Sequence, residues 1–177
     1  MEQINLPEMK PQVMKLARKL YREIINSRGR VDATPRTGLS LSMWTLPMSR
    51  NLLIGKVRKP SDAAIIFSVQ KSTISNERGD YSSMNHEDPS KMLFTGSLTI
   101  DFNGYSICSA GSGLIGFEDA AIAAISLAFV TKQTVFAVLM NVLKERNGKV
   151  GKLPEEFNQD GHYINAILKK YASAFVD

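Results

Sequence analysis

The 177-residue chain has one cysteine, Cys108, and two histidines, His86 and His162. A single cysteine excludes an internal disulfide and any Cys-x-x-Cys metal or redox site. It suits a reducing compartment, so the expected location is cytoplasmic. No His-Glu-x-x-His run and no carboxylates paired at helical spacing occur, so no zinc-protease or acid–base constellation stands out. The N-terminal MEQINLPEMK lacks the basic and apolar regions of a secretory signal. The longest apolar run, residues 120–130, is too short to span a bilayer and contains Ser126. Net charge is +5, yet the basic residues are scattered, with one mild cluster at Lys56, Arg58 and Lys59. A nucleic-acid protein more often carries a basic stripe interleaved with aromatics.

What is present is an ordinary globular composition, 44% hydrophobic and 22% charged, enough to bury a full core. The chain is organised around residues 95–129. Leu98, Ile100 and Phe102 alternate with Thr99 and Asp101, the period of a half-buried strand. Asn103-Gly104 follows, and a type I′ hairpin turn demands positive φ at both of its central residues. Residues 105–109 form the return strand, and Gly111-Ser112-Gly113 breaks it. An Ala-rich apolar helix then opens with Glu118 and Asp119, whose charges complement the helix dipole.

Before this unit, Pro11 suits a first helical turn. Val13, Leu16, Ala17, Leu20, Tyr21, Ile24 and Ile25 then fall on one helical face, with Lys15, Arg18, Lys19 and Arg22 outside it. Leu39, Leu41 and Met43 alternate with Ser40, Ser42 and Trp44 as a strand, and residues 50–57 read as its hairpin partner after a connection at residues 46–49. Ser61 is a candidate N-cap. The residues after it fit strand by propensity and helix by Ile66, Val69 and Thr73. Residues 76–91 are polar, a long surface loop or flap. Residues 117–146 are one helix or two, with a break expected at residues 131–134 and an end at Asn147-Gly148. A helix near the C-terminus shows an apolar face of Tyr163, Ile164, Ile167, Leu168, Tyr171 and Phe175. The expected fold is α+β: a central antiparallel sheet of two hairpins flanked by helices, in a profilin-like layered architecture. Residues 1–150 form the single domain, and residues 151–177 a helical extension packed on it.

Several motifs carry competing meanings. Gly111, Gly113 and Gly116 match Gly-x-Gly-x-x-Gly between a strand and a helix. The strand belongs to a tight hairpin, and no acid lies between Asp119 and Glu145, so a dinucleotide site lacks its ribose partner. A glycine turn that lets helix and sheet pack closely is one alternative, an anion-binding turn at a helix N-terminus the other. Residues 148–152 echo a P-loop without its spacing and read as a hinge. His86 is a solvated loop histidine or a ligand to a metal or haem iron. Cys108 is expected to be a buried, inert thiol, and Met43, Met48 and Met84 fill core or line a pocket.

In this order, the stretch RNLLIGKVRKPSDAAIIFSVQKSTIS resembles the middle strand-to-helix segment of the GlcG/HbpS-like haem-binding family, also found as the C-terminal part of PduO-type proteins. Arg58 stands where that family has a basic residue after the strand, and Ser68 and Lys71 stand in the helix. Gly96, Ile100, Asn103-Gly104, Ile107, Gly111-Ser112-Gly113 and Glu118-Asp119 continue the likeness, which covers about Leu39 to Ala124. It implies a helix over residues 61–75 and a non-catalytic small-molecule binding or sensing protein. Haem or another tetrapyrrole is the implied ligand, with His86 or a methionine as metal ligand. Arg58, Lys71, Gly111, Ser112 and Gly113 are the remaining ligand-binding candidates. A homo-oligomer is expected, because residues 117–143 are apolar on more than one face. The alternative is a structural or regulatory homo-oligomeric module that binds protein partners without a cofactor.

Overall fold

The computed structural model describes residues 4–32, 34–46, 52–77, 81–86, 88, 90, 95–145 and 148–176, without the side chains of residues 46, 74–77 and 86. Helix α1 spans Leu6–Ile25. It starts five residues ahead of the expected Pro11, because Asn5 caps it, its side chain accepting from Glu8 N at 3.4 Å, and Pro7 lies in the first turn. Pro11 therefore sits inside the helix, where it lacks an N–H for the backbone ladder. The expected face is buried, from Val13 through Leu16, Ala17, Leu20 and Tyr21 to Ile24.

Strands β1 (Gly38–Leu46) and β2 (Leu52–Arg58) form the first antiparallel pair. The connection at residues 47–51, including Met48 and the first two residues of the expected strand, lies outside the described residues. Strands β3 (Ser97–Phe102) and β4 (Tyr105–Ser112) form the second hairpin, and Asn103 and Gly104 have φ of +49° and +86°. The sheet order is β2-β1-β4-β3, antiparallel throughout. β4 runs three residues beyond the expected Ser109. Ala110, Gly111 and Ser112 keep their partners on β1, and the chain turns at Gly113 instead.

Residues directly opposite one another share a face of a sheet. Leu41 therefore aligns with Gly55 and Gly111, while Ser40 and Ser42 align with Ser112 and Ala110. The Leu41 face receives α1 and α3, and the bare backbone of Gly55 lets Met14 of α1 pack directly against it. The opposite face receives α2, Asp62–Glu77, which settles the ambiguous segment as helix. Ser61 caps it, accepting from Ala64 N at 3.1 Å. Its buried side is not the expected Ile66, Val69 and Thr73: Ile66 is 64% exposed, while Ala64, Ser68, Lys71 and Ser72 are buried. The sheet beneath offers serines, so hydrogen bonds select the helix face. Ser40 and Ser68 Oγ atoms lie 2.9 Å apart, and Ser42 Oγ donates to Ser68 O at 2.8 Å. Each such bond is worth about 0.5–1.5 kcal/mol net, and its loss leaves a costly buried hydroxyl.

Helix α3 (Gly116–Thr131) and helix α4 (Val135–Val142) meet at a 113° bend, at the expected break. Lys132 adopts φ +51°, and Thr134 caps α4 by accepting from Ala137 N at 3.0 Å. Of the 16 residues of α3, 13 are buried. The sheet, α1, α4 and the C-terminal α5 cover it, so this apolar helix needs no second chain to shield it. Helix α5 (Tyr163–Lys170) buries Ile164, Ile167 and Leu168 in the same core, and Tyr171 follows them.

Part of the expected surface loop is packed on the edge strand. Ser82 bridges Leu98, Thr99 N donates to Tyr81 O at 2.9 Å, and Ser97 N donates to Ser83 Oγ at 3.0 Å. Covering β3 this way occupies backbone groups that an open edge would present to another chain. Residues 78–80, 87, 89 and 91 of that loop, residues 92–94 after it, and residues 146 and 147 at the expected helix end lie outside the described residues. Among the described residues no single helix is long and apolar enough to cross a membrane.

Candidate functional site

The antiparallel topology brings one end of each strand to the same rim of the sheet: the end of β2 with Arg58, the start of β1, the end of β4 with Gly111 and Ser112, and the start of β3. Five of the sequence-predicted site residues gather there or just beneath it. Gly111 is tight against α3: a Cβ on it would stand 2.9 Å from Asp119 O. Gly113 has φ +128°, and a Cβ there would press on Gly38 O. The glycines thus serve close packing of strand, turn and helix.

Two of the turn's amides are satisfied from within the chain. Leu114 N donates to Asp119 Oδ1 at 3.2 Å, and Ile115 N donates to Glu118 Oε2 at 3.0 Å. The two first-turn carboxylates occupy donors that an external anion would seek at a helix N-terminus. Ser112 is buried and pairs with Ser40 across the strands.

Lys71 reaches this turn from α2. Its Nζ donates to Gly111 O at 2.9 Å and pairs with Asp119 Oδ2 at 3.3 Å. Burial pushes the Asp119 carboxyl up, against the opposing pull of the Lys71 charge. The pair ties the helix on one face to the helix on the other around the end of the sheet. A neighbouring cluster sets Glu118 between Arg30, Nε at 2.6 Å, and the Tyr163 hydroxyl at 2.6 Å. Burial, with Glu118 as the next cause, raises the Tyr163 phenol well above its usual range. Asp32 accepts from Arg36 at 2.6 Å and from Arg30 at 2.7 Å; the Arg36 hydrogen bond is the largest cause holding its carboxyl well below the usual range.

Cys108 is fully buried between its strand neighbours Trp44 and Thr99. Burial pushes its thiol up to about 11, so a nucleophilic thiolate is scarce at neutral pH. Met43 is a core side chain on the α1 face and is not at a surface pocket. His86 closes a short 3-10 turn, Ser83–His86, but its side chain lies outside the described residues. His162 caps α5, accepting from Ile164 N at 3.3 Å, and packs against the rings of Phe117 and Tyr163. No group of three or more His, Cys, Asp or Glu that could hold a metal occurs among the described residues.

Arg58 points the other way. Together with Arg18, Tyr21, Arg22, Ile25 and Val57 it lines a groove of about 500 Å³ between α1 and the end of β2. Tyr21 directs its hydroxyl away to Arg36 O at 2.8 Å. The sequence reading missed Arg18 and Arg22, although their i, i+4 spacing outside the apolar face was a usable signal; that they face Arg58 is a tertiary fact. The structure therefore separates the predicted set. Lys71 and Gly111 form an internal clamp, and Arg58 alone of the set lines the groove. Compared with family models, with curated proteins and with solved structures, the chain matches none.

Proposed function

We propose that the chain is a non-catalytic small-molecule binding or sensing protein of the GlcG/HbpS-like type, located in the cytoplasm. The observation that carries this reading is the groove between α1 and β2, whose size falls in the range of small-ligand sites. Arg58, the basic residue of the resemblance, is among its lining residues. The buried, protonated Cys108 and the internally paired Lys71 and Asp119 are consistent with an absence of turnover.

Haem or another tetrapyrrole is the ligand class that the resemblance implies. The groove suits the apolar body and carboxylate edge of such a molecule. It does not suit the iron, because no histidine, cysteine or methionine among the described residues lines it. A saturable Soret shift on haemin titration is the expected result, and its absence at tens of micromolar overturns the tetrapyrrole reading. A shift unchanged in His86→Ala removes His86 as the iron ligand.

The alternative, a homo-oligomeric module that binds protein partners, draws support from α4. Phe136, Met140 and Leu143 are 69%, 45% and 39% exposed and fall at i, i+4 and i+7 along one helix face. Sedimentation is expected to show an oligomer, and Phe136→Asp to weaken it. A wild-type monomer at tens of micromolar ends this reading.

A further inference from the structure

We infer that the groove between α1 and the end of β2 binds a small organic dianion with a flat apolar body, its two acidic groups held by Arg18, Arg22 and Arg58. This rests on the small-molecule reading above and specifies its ligand.

Three observations carry it. First, three arginines from two separate elements line one concavity of about 500 Å³, and no acidic residue among the described residues lines it. Glu23, the nearest acid in sequence to Arg22, is engaged instead by Lys170 and the Tyr171 hydroxyl. Second, none of the three arginines has an ion-pair partner among the described residues, whereas the partly buried Arg30 and Arg36 are both paired. An arginine fork matches a carboxylate or phosphate in two parallel hydrogen bonds, so unpaired guanidinium groups around a hollow favour an anion there. Third, Arg58 holds φ of +57°. Glycine adopts that conformation without steric cost, while a long side chain incurs one. Such strain concentrates where a ligand is held, and here it accompanies a side chain that lines the groove.

The floor narrows the ligand further. Ile25, half-buried, supplies aliphatic surface, backed by the nearly buried side chains of Val57 and Tyr21. Inorganic phosphate would use the arginines and waste this surface, whereas a flat hydrocarbon body covers it. An extended polyanion would instead engage the outer cations of α1, Lys10, Lys15 and Lys19, which line neighbouring hollows.

The test uses the full chain and four probes in titration calorimetry: naphthalene-2,6-dicarboxylate, 2-naphthoate, 2-naphthamide and inorganic pyrophosphate. The dicarboxylate is expected to bind tightest, and to weaken as salt rises. Arg22→Gln and Arg58→Gln are each expected to weaken it by about tenfold or more, the scale of one charged hydrogen bond. Lys15→Gln, outside the groove, is expected to leave it unchanged. All three residues are exposed, so the variants are expected to fold; circular dichroism and Tm check this. Dicarboxylate binding that both arginine variants retain overturns the groove assignment and leaves the small-molecule reading standing. Equal affinity for the dicarboxylate and the amide, or tighter binding of pyrophosphate, overturns the ligand class. If neither haemin nor any of the four probes binds the wild type, both readings fall.

Discussion

Lys71 Nζ stands 3.3 Å from Asp119 Oδ2, and the two side chains are only 5% and 2% exposed. They come from helices on opposite faces of the sheet and meet past its end, where Gly96 and Gly111 leave room. A Cβ on Gly96 would stand 2.8 Å from Lys71 Nζ. Removing one partner leaves a buried charge uncompensated. Lys71→Met is therefore expected to destabilise the protein by roughly 3–5 kcal/mol. Asp119→Asn is expected to cost less, since the amide still accepts from Leu114 N. The double variant should lose less than the sum of the two singles, the mark of a coupled pair. Urea unfolding of the three variants measures this, and strict additivity would refute the coupling.

The glycines of this region differ in what they cost to replace. Gly111→Ala forces a Cβ against Asp119 backbone and is expected to cost about 1–3 kcal/mol by overpacking. Gly104→Ala meets no atom within 4 Å and is penalised only for its φ of +86°. Its expected cost is about 1 kcal/mol, that of a left-handed residue. Chemical denaturation of the two alanine variants ranks them, and a larger loss at Gly104 would contradict the packing account.

Asp32 supplies an acid-sensitive anchor. Its folded pKa is depressed, first by the Arg36 hydrogen bond. A group depressed in the folded state binds its proton more readily when unfolded. Its stabilising contribution is therefore complete above the ordinary carboxylate value of 3.8 and is lost as pH falls from there through the depressed value. Asp32→Asn is expected to lower Tm at pH 7 and to flatten the acid limb of a Tm-versus-pH curve. An acid limb identical to the wild type would show that Asp32 does not set it.

Much of the architecture was legible in the chain because its causes are local. The Asn103-Gly104 turn follows from the φ values those two residues tolerate. The α1 face follows from periodicity, and the break near residues 131–134 is realised by Lys132 in a left-handed conformation and by the Thr134 cap. The start of α1 was misjudged because Pro7 and Pro11 are both acceptable near a helix start, and only the Asn5 cap decides between them. The buried face of α2 was misjudged for another reason. Apolar residues mark the inner face when the facing surface is apolar, and here β1 presents Ser40 and Ser42.

Propensity, capping and hydrophobic period act over a few neighbouring residues, so the chain alone specifies most of the elements and the turn chemistry; the segment of α2, which fits strand and helix alike, is resolved only by its packing on the sheet. Which charges meet depends instead on long-range packing. Asp119 pairs with Lys71 across 48 positions, and Glu118 with Arg30 across 88. Arg18 and Arg22 join Arg58 only because α1 packs beside β2. Such partnerships depend on strand order and on which face each helix covers. Those outcomes come from the collective burial of the core, and no single segment of the chain encodes them.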